Sequence, residues 1–303
     1  MAFFVLFGVA ALLVFSPVVR CAVFHPFKTI VNGCRDIYKY FRYKEYNNAD
    51  FGYIRCYTAA AGRAFGSGKT LMAVHDIVSF YKKYNNKLVW CRRRKKFVRQ
   101  RVYILSNVEI KAVPYVHMES LRQFVDLSET IDIYDDEHDT LTVSIALCDE
   151  ASSQMNSREY KSNFDPLFLS TLLTSRHFKA SFYLTSQKFF MVDKLMRSCV
   201  STVYSTDKLW RFQRYTVYDA VELENATNEL MIKPLFRGCW FVTNKDYAAY
   251  DTHACVGMLK KACENGDMMS EKEILEMLGS TDSDVAAVSN FSRKYKRRHK
   301  KMN

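Results

Sequence analysis

Gly66-Ser67-Gly68-Lys69-Thr70 constrains this chain more than any other stretch. An apolar run, Tyr53 to Tyr57, precedes it. After it, Leu71, Val74, Ile77, Val78 and Tyr81 recur at helical spacing, so the order predicted is strand, loop, helix over 70–81. In that setting the loop turns its backbone N–H groups toward an anion. Gly66 and Gly68 put no Cβ in the way, and the helix start adds the positive end of its dipole. This is the Walker A context. Gly66, Ser67, Gly68, Lys69 and Thr70 are expected to cradle the phosphates of ATP, with Lys69 reaching the β and γ phosphates and the Thr70 hydroxyl ligating Mg²⁺. The pattern departs at one corner, where Gly is expected at 63 and Arg63 stands instead, with Gly62 one place early.

A second apolar run, Thr142 to Cys148, ends in Asp149-Glu150. Its composition suits a strand buried on both faces that delivers two carboxylates at its carboxyl end. This is the Walker B expectation: Asp149 holds Mg²⁺, directly or through water, and Glu150 takes a proton from the attacking water. A third run, Ser181 to Thr185, continues into Ser186 and Gln187. The Gln187 amide either senses the γ phosphate or orients that water, since a neutral amide both donates and accepts, or is a structural side chain at the strand end. Arg176, just ahead of this strand, is either an arginine finger acting in trans or the partner of an acid. With a further strand at Val102 to Leu105 and a helix at Leu167 to Thr174, the pattern predicts an α/β P-loop NTPase with a mainly parallel sheet flanked by helices. Trp210 to Val221 reads as one more strand. The acidic stretch Asp135 to Asp139 reads as a solvated turn rather than a metal site.

Ala2 to Val19 carries no charged residue. At helical rise these 18 residues span about 27 Å, close to the thickness of a bilayer's hydrocarbon core. Basic residues follow the run and none precedes it, which predicts a transmembrane helix with the amino terminus outside and the body cytoplasmic. A buried amino-terminal helix and a signal peptide are the competing readings. The boundaries expected are an anchor over 1–20, an aromatic and basic juxtamembrane segment over 21–50, the ATPase domain over 51–235, a helical extension over 236–279 and a basic disordered tail over 280–303.

The net charge of +12 is local. Arg92 to Arg101 and Arg293 to Lys301 each hold seven basic residues and no acid, so the rest of the chain is near neutral. Arg92, Arg93, Arg94, Lys95 and Lys96, flanked by Trp90 and Phe97, form a surface loop suited to neutralising phosphates and stacking on bases. Contact with anionic lipid and a plain solvated loop are the alternatives. Nine cysteines without a C-x-x-C pair argue against a disulfide scaffold or structural zinc.

Taken in order, Gly66 to Thr70, Arg101 to Asn107, Leu147 to Ala151, Ser175-Arg176-His177 and Tyr183 to Gln187 resemble the zonula occludens toxin-like (Zot) phage morphogenesis ATPases, within the FtsK/HerA group of P-loop motors. Asp193 to Arg197 and Tyr250 to Thr252 are similar as well. The resemblance implies ATP-driven assembly, extrusion or packaging of single-stranded phage DNA at the host inner membrane. It also implies a homo-oligomeric ring working with phage coat or secretion proteins. Many relatives carry their membrane segment after the ATPase domain, whereas here the apolar run comes first. A double-stranded DNA packaging or conjugative coupling ATPase, and a non-hydrolysing membrane adaptor, are the other functions this pattern allows.

Overall fold

The computed structural model describes residues 16–60, 62, 66–118, 121–151, 166–226 and 232–250. The chain divides into two compact units, Met1–Asn48 with Leu88–Phe97, and Ala49–Lys87 with Val98–Asn303.

In the first unit, Ser16 caps α1 (Pro17–Phe24), its hydroxyl accepting from the Val19 N–H at 3.4 Å. Next comes α2 (Pro26–Arg42), on which Phe27, Ile30, Val31, Cys34, Tyr38 and Phe41 recur at spacings of three and four. These residues are exposed, Phe27 at 83% and Phe41 at 66%. Among the described residues no helix is long and apolar enough to cross a membrane. The expected anchor lies outside them up to position 15, and its last residues begin α1. In the same unit β2 (Leu88–Cys91) brings Trp90 against Tyr43 and Phe97, with ring centroids 4.7 and 5.1 Å apart.

The second unit is built on a mixed sheet. Its strands are β1 (Ile54–Ala59), β3 (Lys96–Ser106, shared with the first unit), β4 (Val116–His117), β5 (Thr140–Cys148), β6 (Ala180–Ser186), β7 (Thr202–Leu209), β8 (Phe212–Asp219) and β9 (Phe236–Phe241). They lie in the order β3-β5-β6-β1-β7-β8-β9, with β4 beside β3. The run from β3 to β7 is parallel, while β8 and β9 are antiparallel additions. Helices on both faces bury the parallel part, so that even the polar Thr142 and Ser144 of β5 and Ser181 and Thr185 of β6 are buried. One face packs on α3 (Lys69–Tyr84) through Tyr57, Ile104, Ile145 and Tyr183. The other packs on α4 (Leu121–His138), α5 (Pro166–Leu173), α6 (Lys194–Cys199) and α7 (Ala220–Asn225) through Leu105, Phe124, Ala146 and Phe182.

Three expectations are corrected here. Asp135 is not in a solvated turn. It sits near the end of α4, 1% exposed, and accepts from the Thr140 hydroxyl at 2.8 Å and from the Thr142 N–H and hydroxyl at 2.7 and 2.6 Å, so it braces the entry into β5. Trp210 to Val221 is not one strand, because Trp210 and Arg211 form the turn between β7 and β8, and α7 begins at Ala220. Phe236–Phe241 adds to the sheet instead of beginning a helical extension, and a short helix, α8 (Asn244–Ala248), follows it. The remainder of that extension and the basic tail lie outside the described residues.

Candidate nucleotide-binding site

The register of the parallel strands brings their carboxyl ends level. Cys56 pairs with Leu184, and Leu184 with Cys148, so the loop after β1, Asp149 after β5 and Gln187 after β6 emerge along one edge. β6 lies between the strand that feeds the loop and the strand that ends at Asp149. That insertion puts Gln187 beside the loop, with its Oε1 accepting from Lys69 Nζ at 3.0 Å.

The Thr70 hydroxyl donates to Asp149 Oδ1 at 2.8 Å, and the Thr185 hydroxyl donates to the same oxygen at 2.6 Å. Thr185 Oγ1 in turn accepts the Glu150 N–H at 2.9 Å. Glu150 is exposed and holds a φ of +53°, in the left-handed region. Asn107, at the end of β3 and 3% exposed, pairs with the backbone of Asp149: its Oδ1 accepts the N–H at 2.8 Å and its Nδ2 donates to the C=O at 3.0 Å. This two-point clasp continues the ladder one residue beyond the strand. Burial pushes the Lys69 ammonium below its usual pKa, and Asp149 and Glu150 pull against that shift.

In the loop, Gly66 and Gly68 have φ of +69° and +79°, values that a side chain would strain. A Cβ at Gly68 would also overlap the Gln213 amide oxygen. Gln213 projects from β8, is fully buried, and donates through Nε2 to the Ser67 C=O at 3.0 Å. Its Oε1 and the Ser67 hydroxyl are buried without a hydrogen-bond partner among the described residues. Sequence reasoning missed Asn107 and Gln213. The polar pair Ser106-Asn107 closing an apolar run was a usable signal for the first. Nothing in a strand of alternating residues marks the second.

The donor set fits Mg²⁺. Thr70 Oγ1 and Asp149 Oδ1 are adjacent hard oxygens, and such sites use one or two protein groups and leave the rest of the shell to phosphate and water. Among the described residues no cluster of three or more His, Cys, Asp or Glu is placed to hold a metal by itself. A Cβ at Gly66 would meet nothing within 4 Å among the described residues. Arg63 lies outside the described residues.

Arg176 stands apart from this constellation. It is exposed at the amino-terminal end of β6, its stem against Gly52, where φ is +81° and a Cβ would overlap it. The seven residues of β6 put roughly 20 Å between that end and Gln187. Arg176 therefore does not reach the site of its own chain. Arg197 donates to the Phe190 and Val192 carbonyls at 3.1 and 2.7 Å and lies 3.3 Å from Glu224, so it ties down the segment after Gln187. Arg92 to Lys95 form the turn after β2 and Lys96 starts β3, all in the first unit. Arg92 is paired there with Glu45 at 3.1 Å.

No family model and no curated protein sequence matches this chain. Among solved structures it is similar to the N-terminal domain of zonular occludens toxin from Neisseria meningitidis, at 18% identity and a TM-score of 0.41, over 67% of this chain and 100% of that one. The genome packaging NTPase of Sulfolobus turreted icosahedral virus 2, in complex with ATP-γS, is similar at 11% identity and a TM-score of 0.36, over 65% and 99% of the two chains. EccC (ATPases 2 and 3) of Thermomonospora curvata is similar at 13% identity and a TM-score of 0.35, over 80% of this chain and 42% of that one.

Proposed function

We propose that this chain is a Mg²⁺-dependent ATPase, anchored at the host inner membrane and assembled as a homo-oligomeric ring, that couples hydrolysis to the assembly or extrusion of single-stranded phage DNA with phage coat or secretion proteins. The observation that carries the catalytic part is the hydrogen bond from Thr70 to Asp149, flanked by the one from Lys69 to Gln187. Groups from three separated stretches converge on one strand edge, in the arrangement phosphoryl transfer requires. That reaction is mostly positioning and charge stabilisation.

Each residue then has a task. The N–H groups around Gly66 and Gly68 and the Lys69 ammonium hold the terminal phosphates. Thr70 Oγ1 and Asp149 Oδ1 hold Mg²⁺, which when bound neutralises charge developing on the phosphate oxygens. Glu150, exposed beside Asp149, takes the proton of the attacking water on its carboxylate. Gln187 lies between the two functions, with its carbonyl oxygen on Lys69 and its amide N–H group left to orient that water or sense the γ phosphate. The DNA and membrane parts rest on the motif order and on the exposed apolar stripe of α2, whose neighbours Lys28, Arg35, Lys39 and Arg42 suit anionic headgroups.

Hydrolysis with magnesium and binding of a fluorescent ATP analogue test the reading together. Lys69→Ala is expected to abolish turnover. Glu150→Gln is expected to bind the analogue as tightly as the parent protein and to lower kcat at least a hundredfold, the range in which a general base contributes. Normal turnover in Glu150→Gln would remove Glu150 from its role.

A further inference from the structure

The β7–β8 hairpin offers a second surface. It turns through two residues, Trp210 and Arg211, between the paired positions Leu209 and Phe212. Trp210 takes the left-handed conformation, with φ +54°, at a loop position where glycine is the residue turn chemistry prefers. It is 71% exposed. Strain at a surface turn, kept for a large exposed aromatic, points away from folding and toward contact with something else.

The surroundings say what that contact is. Phe212 on β8 and Phe241 on β9 are cross-strand partners, with ring centroids 5.5 Å apart, and each lies within 6.1 Å of Trp210. Both phenylalanines are close to half exposed. Alternation along the strands puts Arg214 of β8 and Arg237 of β9 on the same face, two and four residues further on. The one acid of β7 on that face, Asp207, is paired with Arg214. An open sheet face with aromatic rings on neighbouring strands and guanidinium groups beside them matches the chemistry of single-stranded nucleic acid, where unpaired bases stack and phosphates are neutralised. Duplex DNA hides the ring faces of its bases and uses no such platform.

We propose that Trp210, Phe212 and Phe241, with Arg214 and Arg237, form a stacking platform for single-stranded nucleic acid. This rests on the ATPase reading above and adds a coupling element to it. Gln213, next to Phe212 and pointing to the opposite face, is hydrogen-bonded to the Ser67 carbonyl of the phosphate-binding loop. One β-strand thus touches the loop with one residue and presents the platform with its neighbour, so a shift of the loop on nucleotide turnover moves the platform with it.

The test uses the full chain in detergent and a fluorescein-labelled oligothymidylate, read by anisotropy, with ATP hydrolysis and sedimentation measured on the same samples. Trp210→Ala combined with Phe212→Ala is expected to weaken oligonucleotide binding at least tenfold, whereas Trp210→Phe, which keeps a ring, is expected to bind within about threefold of the parent protein. Trp210→Gly relieves the turn, so it is expected to melt higher than the parent protein while binding the oligonucleotide more weakly; a lower melting temperature would mean that the tryptophan is structural. Arg237→Gln is expected to flatten the salt dependence of binding. Unchanged oligonucleotide affinity in the double variant, with hydrolysis in the parent protein intact, overturns the platform alone. If that variant instead loses self-association, or binding to anionic vesicles, while still binding the oligonucleotide, the face belongs to a second copy or to lipid and the proposal fails. A parent protein that neither hydrolyses ATP nor binds the oligonucleotide overturns the ATPase reading together with the platform.

Discussion

Lys69 ties the chemistry of the site to pH. Its ammonium is half-buried, and burial, opposed by Asp149 and Glu150, holds its pKa below the ordinary 10.5. A lowered pKa means that the proton leaves at a lower pH than it would from a solvated lysine. If Lys69 binds phosphate as proposed, that charge is lost, as pH rises, earlier than it would be from a solvated lysine. Affinity for an ATP analogue is expected to fall with rising pH in the parent protein and to stay flatter in Lys69→Arg, whose guanidinium keeps its charge. A titration series from neutral pH to about pH 10 reads the difference. Two parallel profiles would show that Lys69 does not carry the phosphate charge. The residue types at positions 66–70 and 149–150 were legible from the chain alone, because backbone sterics and phosphate chemistry leave few substitutes. Asn107 and Gln213 were not. Their work consists of hydrogen bonds to backbone 42 and 146 residues away, and no local pattern records such partners.

At the scale of elements, the parallel strands follow from their composition. β5 and β6 are buried on both faces and are rich in β-branched, aromatic and small residues, with the polar Thr142, Ser144, Ser181 and Thr185 buried among them. The α4–β5 junction shows where composition misleads. Five consecutive polar residues look like solvent-facing turn material, yet Asp135 points inward and collects three hydrogen bonds from Thr140 and Thr142. Replacing it with Ala leaves the buried Thr142 N–H without its partner. Asp135→Ala is therefore expected to destabilise the fold by about 2–3 kcal/mol, the cost of orphaned groups that had bonded to a carboxylate. Asp136→Ala, at an exposed neighbour, is expected to change stability by less than about 0.5 kcal/mol. Urea unfolding of the two variants checks this, and equal midpoints would put Asp135 back in solvent. The β7–β8 turn escaped sequence reading for a related reason. Trp210-Arg211 has none of the Gly, Asn or Asp chemistry that marks a two-residue loop, so the hairpin carries the signature of a single strand.

For the molecule as a whole, the position of Arg176 has a consequence. It lies at the far end of β6 from Gln187, so any role for it in hydrolysis requires the site of another copy. Turnover per protomer is then expected to rise with protein concentration, and Arg176→Ala is expected to flatten that rise. Specific activity that does not depend on concentration would assign Arg176 a purely structural place against Gly52. The amino-acid sequence by itself determined the glycine-bearing turn from Gly66 to Thr70, the acidic pair at the end of a mainly apolar strand and the alternation of strands with helices, because each follows from short-range rules of sterics, periodicity and charge. Strand order, the insertion of β6 that brings Gln187 to Lys69, the antiparallel edge of β8 and β9 and the burial of Gln213 against the loop were decided only by tertiary structure. Those features depend on which distant segments pair to bury both faces of the sheet, and that choice is made by the packing of the whole chain.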